Sequence, residues 1–259
     1  MSPARAIIVA ALLVASSLVR AAEIPASERR SGFSFMTPET QSMQNDDTAN
    51  PGMLFVLDGE ALWKSKAGAA GNACADCHDD ARASMKGVAA RYPAFDKALG
   101  RPVNLEQRIN LCRANHQQAT PLAYESRELL ALTAFVARQS RDMPIVAGTD
   151  PQLAPFIARG RALFTQRQGQ PNLGCANCHD DNWDKHLAGS AVTQALPTGY
   201  PLYRLEWQSL GSLQRRLRNC MTGMRTQLYD YGAPELVELE LYLMTRAHDM
   251  PIETPAVRP

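Results

Sequence analysis

The chain has 259 residues, 45% hydrophobic and 20% charged, with 27 Lys and Arg against 26 Asp and Glu and a formal net charge of +1. That length exceeds the usual single-domain size, and the composition leaves ample apolar material for a core. The balanced charge excludes a partner held by a global basic field, so neither a nucleic acid nor an anionic membrane is expected.

At the N-terminus, Arg5 precedes an uncharged apolar run from Ala6 to Val19, followed by Arg20-Ala21-Ala22. A short charged region, an apolar stretch and small residues read as an export signal over residues 1–22, cleaved after Ala21 or Ala22. The run is short for a transmembrane helix, so no membrane span is expected in the mature chain. Residues 23–55 are rich in Ser, Thr, Gln and Asn and read as an extended N-terminal arm.

Next comes Cys74-Ala-Asp-Cys77-His78, which recurs as Cys175-Ala-Asn-Cys178-His179. In C-x-x-C-H the two thiols add across the haem vinyl groups and the adjacent imidazole ligates the iron. Zinc ligation and disulfides are the plainer alternatives, but the duplication favours two covalently bound haem c groups, held by Cys74, Cys77, Cys175 and Cys178 with His78 and His179 as proximal ligands. Covalent haem on an exported chain implies a bacterial periplasm.

The repeat extends further. Arg91-Tyr92-Pro93 returns as Gly199-Tyr200-Pro201, Arg108-Ile-Asn-Leu-Cys112 as Arg216-Leu-Arg-Asn-Cys220, and Asp142-Met-Pro-Ile145 as Asp249-Met-Pro-Ile252. The second half carries seven extra residues around Trp183 to Gly199. Ser126 is a fair N-cap for a helix with Leu129, Leu132 and Val136 on one face; Pro234 fits the first position of its counterpart, with Leu236, Leu239, Leu243 and Ala247 as the stripe. Both helices end before a proline, Pro144 and Pro251. No strand pattern of useful length is visible. The expectation is an all-α fold of two tandem cytochrome c-like domains related by internal duplication, 56–150 and 151–259, each around one haem and joined by a linker over Ile145–Pro155.

Two cysteines remain, Cys112 and Cys220, at equivalent positions. Each could bind its own haem iron as a thiolate, the two could form a disulfide, or the iron could instead take Met143 and Met250. Position favours the thiolates, which lie before the last helix of each half, whereas both methionines lie beyond it. His116 has no counterpart in the second half and reads as a surface residue.

Between Trp207 and Tyr229 there is no acidic residue but Arg215, Arg216, Arg218 and Arg225. If Arg216 and Cys220 share a helix, they lie one turn apart on one face. A guanidinium there would favour the thiolate and could grip a sulfur oxyanion; the plainer reading is a solvated helix face. Arg246 adds a further cation where the first half has Gln139.

The run Arg216-Leu-Arg-Asn-Cys220-Met-Thr-Gly-Met, with Glu235-Leu-Val-Glu-Leu-Glu-Leu-Tyr-Leu243 and Arg246-Ala, resembles the SoxA family over essentially the whole mature chain. The resemblance implies the haem subunit of periplasmic thiosulfate oxidation, an L-cysteine S-thiosulfotransferase. Thiosulfate would be oxidatively coupled to a cysteine of the SoxYZ carrier, with electrons passed through haem to a cytochrome c acceptor. By position, Cys220 would be both axial ligand and cysteine persulfide intermediate, Cys112 the other thiolate ligand, Arg216 the substrate-binding cation, and SoxX the cytochrome partner; the added charge makes Arg246 a second substrate-binding candidate. The main rival is a di-haem electron-transfer cytochrome c without sulfur chemistry.

Overall fold

Two helix pairs set the frame of the computed structural model, which describes residues 24–259; the expected export signal lies outside them. The chain enters through helix α1 (Pro38–Asn45) and α2 (Gly52–Lys64), passes the first motif on α3 (Ala75–His78) and α4 (Ala81–Ser84), and continues through α5 (Leu105–Cys112) and α6 (Arg127–Arg138). The second half holds α7 (Ala154–Thr165), α8 (Cys175–His179), α9 (Leu213–Gly223) and α10 (Pro234–Arg246). The pairings of α2 with α6 and of α7 with α10 are the most extensive in the molecule.

Glycine lets each pair close. A Cβ on Gly59 of α2 would stand 2.1 Å from the Ala131 carbonyl oxygen, and one on Gly160 of α7 would stand 2.0 Å from that of Glu238. An aromatic pair seals each contact. Trp63 meets Phe135 at 5.7 Å between ring centroids, and Phe164 meets Tyr242 at 5.5 Å. The expected stripes face inward: Leu129, Leu132 and Val136 in one half, Leu236, Leu239, Leu243 and Ala247 in the other, all buried. Removing each leucine from water contributes about 1.5–3 kcal/mol. Ser126 caps α6 by accepting the Leu129 N–H at 3.3 Å, and Pro234 opens α10.

An entirely α-helical chain is not what forms. Hairpin β1 (Ala94–Asp96) with β2 (Arg101–Val103) leads into α5; the small hairpin β3 (His186–Leu187) with β4 (Ser190–Ala191) lies in the seven-residue insertion; and β5 (Leu202–Arg204) with β6 (Ser209–Gly211) leads into α9. A final strand, β7 (Val257–Arg258), runs parallel to β5. Strands of two or three residues carry no readable alternation, which is why the sequence pattern hid them.

The segment read as an extended arm is also different. It forms two 3₁₀ turns and α1 and lies against the C-terminal tail: Asn50 donates to the Pro255 carbonyl at 2.9 Å, and the Arg258 guanidinium bonds Gln44. Polar residues bind the tail here, whereas composition alone suggested solvent. The expected linker is likewise packed, with Ile145, Ala147 and Leu153 buried. The two Asp-Met-Pro-Ile repeats pair with each other: the Asp142 N–H donates to Ile252 and the Ile252 N–H to Met143, while the Ile145 N–H donates to Met250. One apolar core, from Phe55 to Ile252, therefore draws on both halves. Among the described residues no helix is long and apolar enough to cross a membrane.

Two candidate haem sites

Each motif sits on a short helix facing its own lone cysteine. In the first half Cys77 and His78 are exposed and Cys74 is half-buried, with the Trp63 ring 5.7 Å from that of His78. Cys112, at the end of α5, is close enough to interact electrostatically with Cys74 and Cys77. Burial pushes the Cys112 thiol up, and Arg108 acts against that rise. The following turn is a π-helix, Arg113–Gln117, a distortion frequent at functional sites. His116 on it is exposed, as a surface residue would be.

In the second half the groups gather around a cleft of about 420 Å³ whose lining includes Phe164, Cys175, His179, Leu217, Cys220 and Leu243. The imidazole Nδ1 of His179 lies 2.6 Å from the Thr193 carbonyl oxygen. That acceptor fixes the proton on Nδ1 and leaves Nε2 with its lone pair, the tautomer a metal-ligating histidine needs. Burial holds His179 below the usual imidazole range, again keeping it neutral. Burial pushes the Cys175 thiol up to about 11. The seven-residue insertion leads directly to Thr193, so the extra chain of this half orients its imidazole. Spacing could not reveal that.

The residues fit a haem in each half. The donor set is two thiols, one imidazole and one facing thiol, and a buried guanidinium Nε without a hydrogen-bond partner lies beside each motif: Arg113 in the first half, Arg246 in the second. All six cysteines are free, and no disulfide joins Cys112 to Cys220. Met143 and Met250 lie on the paired Asp-Met-Pro-Ile segments, with the Met143 methyl against Gly87 and Met250 against the shared core.

The arginines separate the halves. Arg216 and Cys220 share α9, as the spacing suggested. Its neighbours are engaged: Arg215 lies 4.2 Å above the Trp207 ring and 3.9 Å from Glu125, Arg218 donates to the Tyr229 carbonyl, and Arg225 bonds Gln170 at 2.5 Å. The Arg216 guanidinium has no hydrogen bond or ion pair among the described residues; its electrostatic neighbours are His179 and Tyr200. Its counterpart Arg108 is paired with Asp96 at 2.5 Å. In the second half the place of Asp96 is taken by Arg204, which pairs with Glu206 at 2.8 Å. Arg246 is nearly buried, 2.6 Å from Asp180 and 3.1 Å from the Gln194 carbonyl oxygen. Asp96, Arg204, Thr193 and Gln194 escaped sequence reasoning because their roles depend on pairing across the fold.

Helix pairs around a C-x-x-C-H turn, with a facing axial candidate, define a cytochrome c-type fold. The family model for the SoxA/TsdA cytochrome c domain matches residues 58–145 and 159–252. The chain is 37% identical to the L-cysteine S-thiosulfotransferase subunit SoxA of Pseudaminobacter salicylatoxidans, over 90% of this chain and 82% of that protein. It is 36% identical to the subunit of the same name from Rhodovulum sulfidophilum, over 89% of this chain and 80% of that one. A chain in the crystal structure of SoxXA from P. pantotrophus superposes with a TM-score of 0.86 at 29% identity, covering 89% of this chain and 87% of that chain. The chain belongs to the SoxA family.

Proposed function

We propose that this chain is the haem-bearing subunit of a periplasmic L-cysteine S-thiosulfotransferase, with two covalently attached haem c groups and its reactive site in the second half. The naming of the SoxA relatives supports the activity, and the duplicated C-x-x-C-H supports two groups. Cys74, Cys77 and His78 would hold the first haem with Cys112 opposite; Cys175, Cys178 and His179 would hold the second with Cys220 opposite. Bound haem supplies one-electron redox chemistry. The reaction joins the carrier's cysteine thiolate to the outer sulfur of thiosulfate, forming one S–S bond and releasing two electrons to a cytochrome c acceptor. A SoxX partner is supported by the SoxXA neighbour, and SoxYZ is the carrier the activity requires.

The observation that carries this reading is the unpaired Arg216 one turn from Cys220. Thiosulfate is a dianion and repels a thiolate; a guanidinium with no internal partner can hold it through two parallel N–H donors. Cys220 would serve as the persulfide-bearing sulfur beside it. Arg246 fits a different part. Its ion pair with Asp180 adjoins His179, so it would brace the second haem site and keep only its free Nε for an anionic group there.

The test is thiosulfate coupling to the carrier by Arg216→Ala, Arg108→Ala and Cys220→Ala, each checked for retained haem. Loss of one oxyanion donor costs on the order of a hundredfold in rate. Arg216→Ala should lose about that much, Cys220→Ala should lose turnover, and Arg108→Ala should stay close to the parent. Equal activity of the two arginine variants would remove the Arg216 assignment. Normal turnover by Cys220→Ala would leave an electron-transfer cytochrome.

A further inference from the structure

Between the halves lies a cleft of about 510 Å³ whose lining includes Tyr92, Glu106 and Thr133 from the first half and Thr198, Tyr200 and Glu240 from the second. Repeat-equivalent positions meet here: Glu106 corresponds to Gln214, Thr133 to Glu240 and Tyr92 to Tyr200. The cleft therefore lies at the pseudo-twofold relation between the halves. Glu106 is 6% exposed. Glu240 accepts hydrogen bonds from Asn104 Nδ2 and Gln214 Nε2, both at 3.2 Å. Neither carboxylate belongs to an ion pair among the described residues. The other titratable groups facing them bring no positive charge: Glu125 acts on Glu106, and the Tyr124 phenol, kept neutral by burial, adjoins both, with Arg101 near that phenol.

Two carboxylates in one low-dielectric place without a cation cannot both stay ionised, so at least one of them keeps a proton. Burial raises both, and the charge of Glu240 raises Glu106 further. Equivalent tyrosines that line the same cleft stand beside both candidate haem sites. Tyr92 hydrogen-bonds Arg108, which neighbours Cys112. Tyr200 neighbours Arg216 and Cys220.

We propose that Glu106 and Glu240 form a proton-binding site linked to the redox state of both halves, taking up one proton from solvent as an electron arrives and returning it as the electron leaves. The inference rests on the two-haem reading above. The electrons are those released when thiosulfate is coupled, and the cytochrome acceptor removes them. An added negative charge on either side favours the protonated pair, and by linkage the reduction potentials fall as pH rises.

The test is redox titration of the haem-loaded protein at a series of pH values across neutrality, for wild type, Glu106→Gln and Glu240→Gln. The wild type should show potentials that decline with pH, and each glutamine variant a flattened dependence with unchanged haem content. A slope equal in wild type and variants, or no slope in wild type, overturns the proposal. Should the variants fold poorly, infrared difference spectra of the wild type decide instead: reduction should increase a protonated-carboxyl C=O band, and its absence overturns the proposal. Thiosulfate coupling is assayed separately. A pH-linked potential in a protein that fails to couple thiosulfate would sink the transferase reading and leave the proton site standing.

Discussion

The first half of the molecule and the second share a scaffold nearly position for position. Gly59 and Gly160 admit the partner helix, Trp63 and Phe164 pack at a tilt against Phe135 and Tyr242, and a hairpin feeds the helix bearing the lone cysteine. What differs is the group presented to the arginine one turn before that cysteine. Asp96 neutralises Arg108, whereas Arg204 at the matching strand position leaves Arg216 without a carboxylate. The insertion adds a second difference by bringing the Thr193 carbonyl to His179. Duplication thus preserved the packing, while a few side chains at hairpin ends set which half keeps its arginine paired with a carboxylate.

The sharpest way to break that contrast is to write the first half's carboxylate into the second. Arg204→Asp should place an acid within reach of Arg216, as Asp96 is of Arg108, and capture the guanidinium. We expect thiosulfate coupling to fall by roughly tenfold to a hundredfold, approaching the loss of an oxyanion donor. Haem content and thermal stability should change little, because Arg204 only pairs with the exposed Glu206 and covers Trp207. Undiminished coupling would mean that the charge at this strand position does not govern the site.

The shared scaffold is tested by its glycines. Gly160→Ala puts a methyl into the Glu238 carbonyl, and Gly59→Ala into that of Ala131, with no flexible side chain able to yield. Overpacking of this kind costs about 1–3 kcal/mol, so either variant should melt several degrees below the parent. A cost confined to one half would show that the two helix pairs are not equivalent.

These symmetries were only partly legible in the sequence. Motifs, cap and stripes are local, so Ser126, Pro234 and the leucines of α10 could be read directly, as could the placement of Arg216 and Cys220 on one helix. The extended-arm reading missed α1 although Thr37-Pro38-Glu39 carries a cap, a first-turn proline and an acid, all helix-start signals. Asp96 and Arg204 could not be read, because their meaning comes from equivalent hairpin positions, one of which meets the arginine twelve residues on while the other pairs elsewhere. The all-helical expectation failed on the same hairpins.

Asp96 offers a pH-dependent contrast of moderate size. The Leu99 N–H foremost, with help from Arg108 and Ala98, holds its carboxyl below the usual range. A carboxyl depressed on folding adds stability above its unfolded pKa and loses that contribution as pH falls through the folded value. Asp96→Asn should therefore cost about 1 kcal/mol near neutrality and flatten the acid limb of the stability curve. Buried Glu106 and Glu240 work in the opposite direction: they weaken the fold as pH rises from the ordinary carboxylate range toward their raised values. Unfolding titrations of Asp96→Asn and Glu106→Gln should differ in opposite limbs.

The smallest effect lies at the start of the last helix in each half. Ser126 gives α6 a side-chain cap, whereas Ala233 at the same place before α10 offers none. The α10 helix compensates in part with Pro234, which restricts the first turn and needs no N–H acceptor. Ser126→Ala should cost about 1 kcal/mol, and Ala233→Ser should gain somewhat less, since the backbone there is already extended with φ −57° and ψ 146°. Chemical denaturation of the two variants under one condition measures both. A stabilisation by Ala233→Ser would show that the second half still lacks a cap the first retained; a neutral result would mean that Pro234 already supplies what the hydroxyl could add.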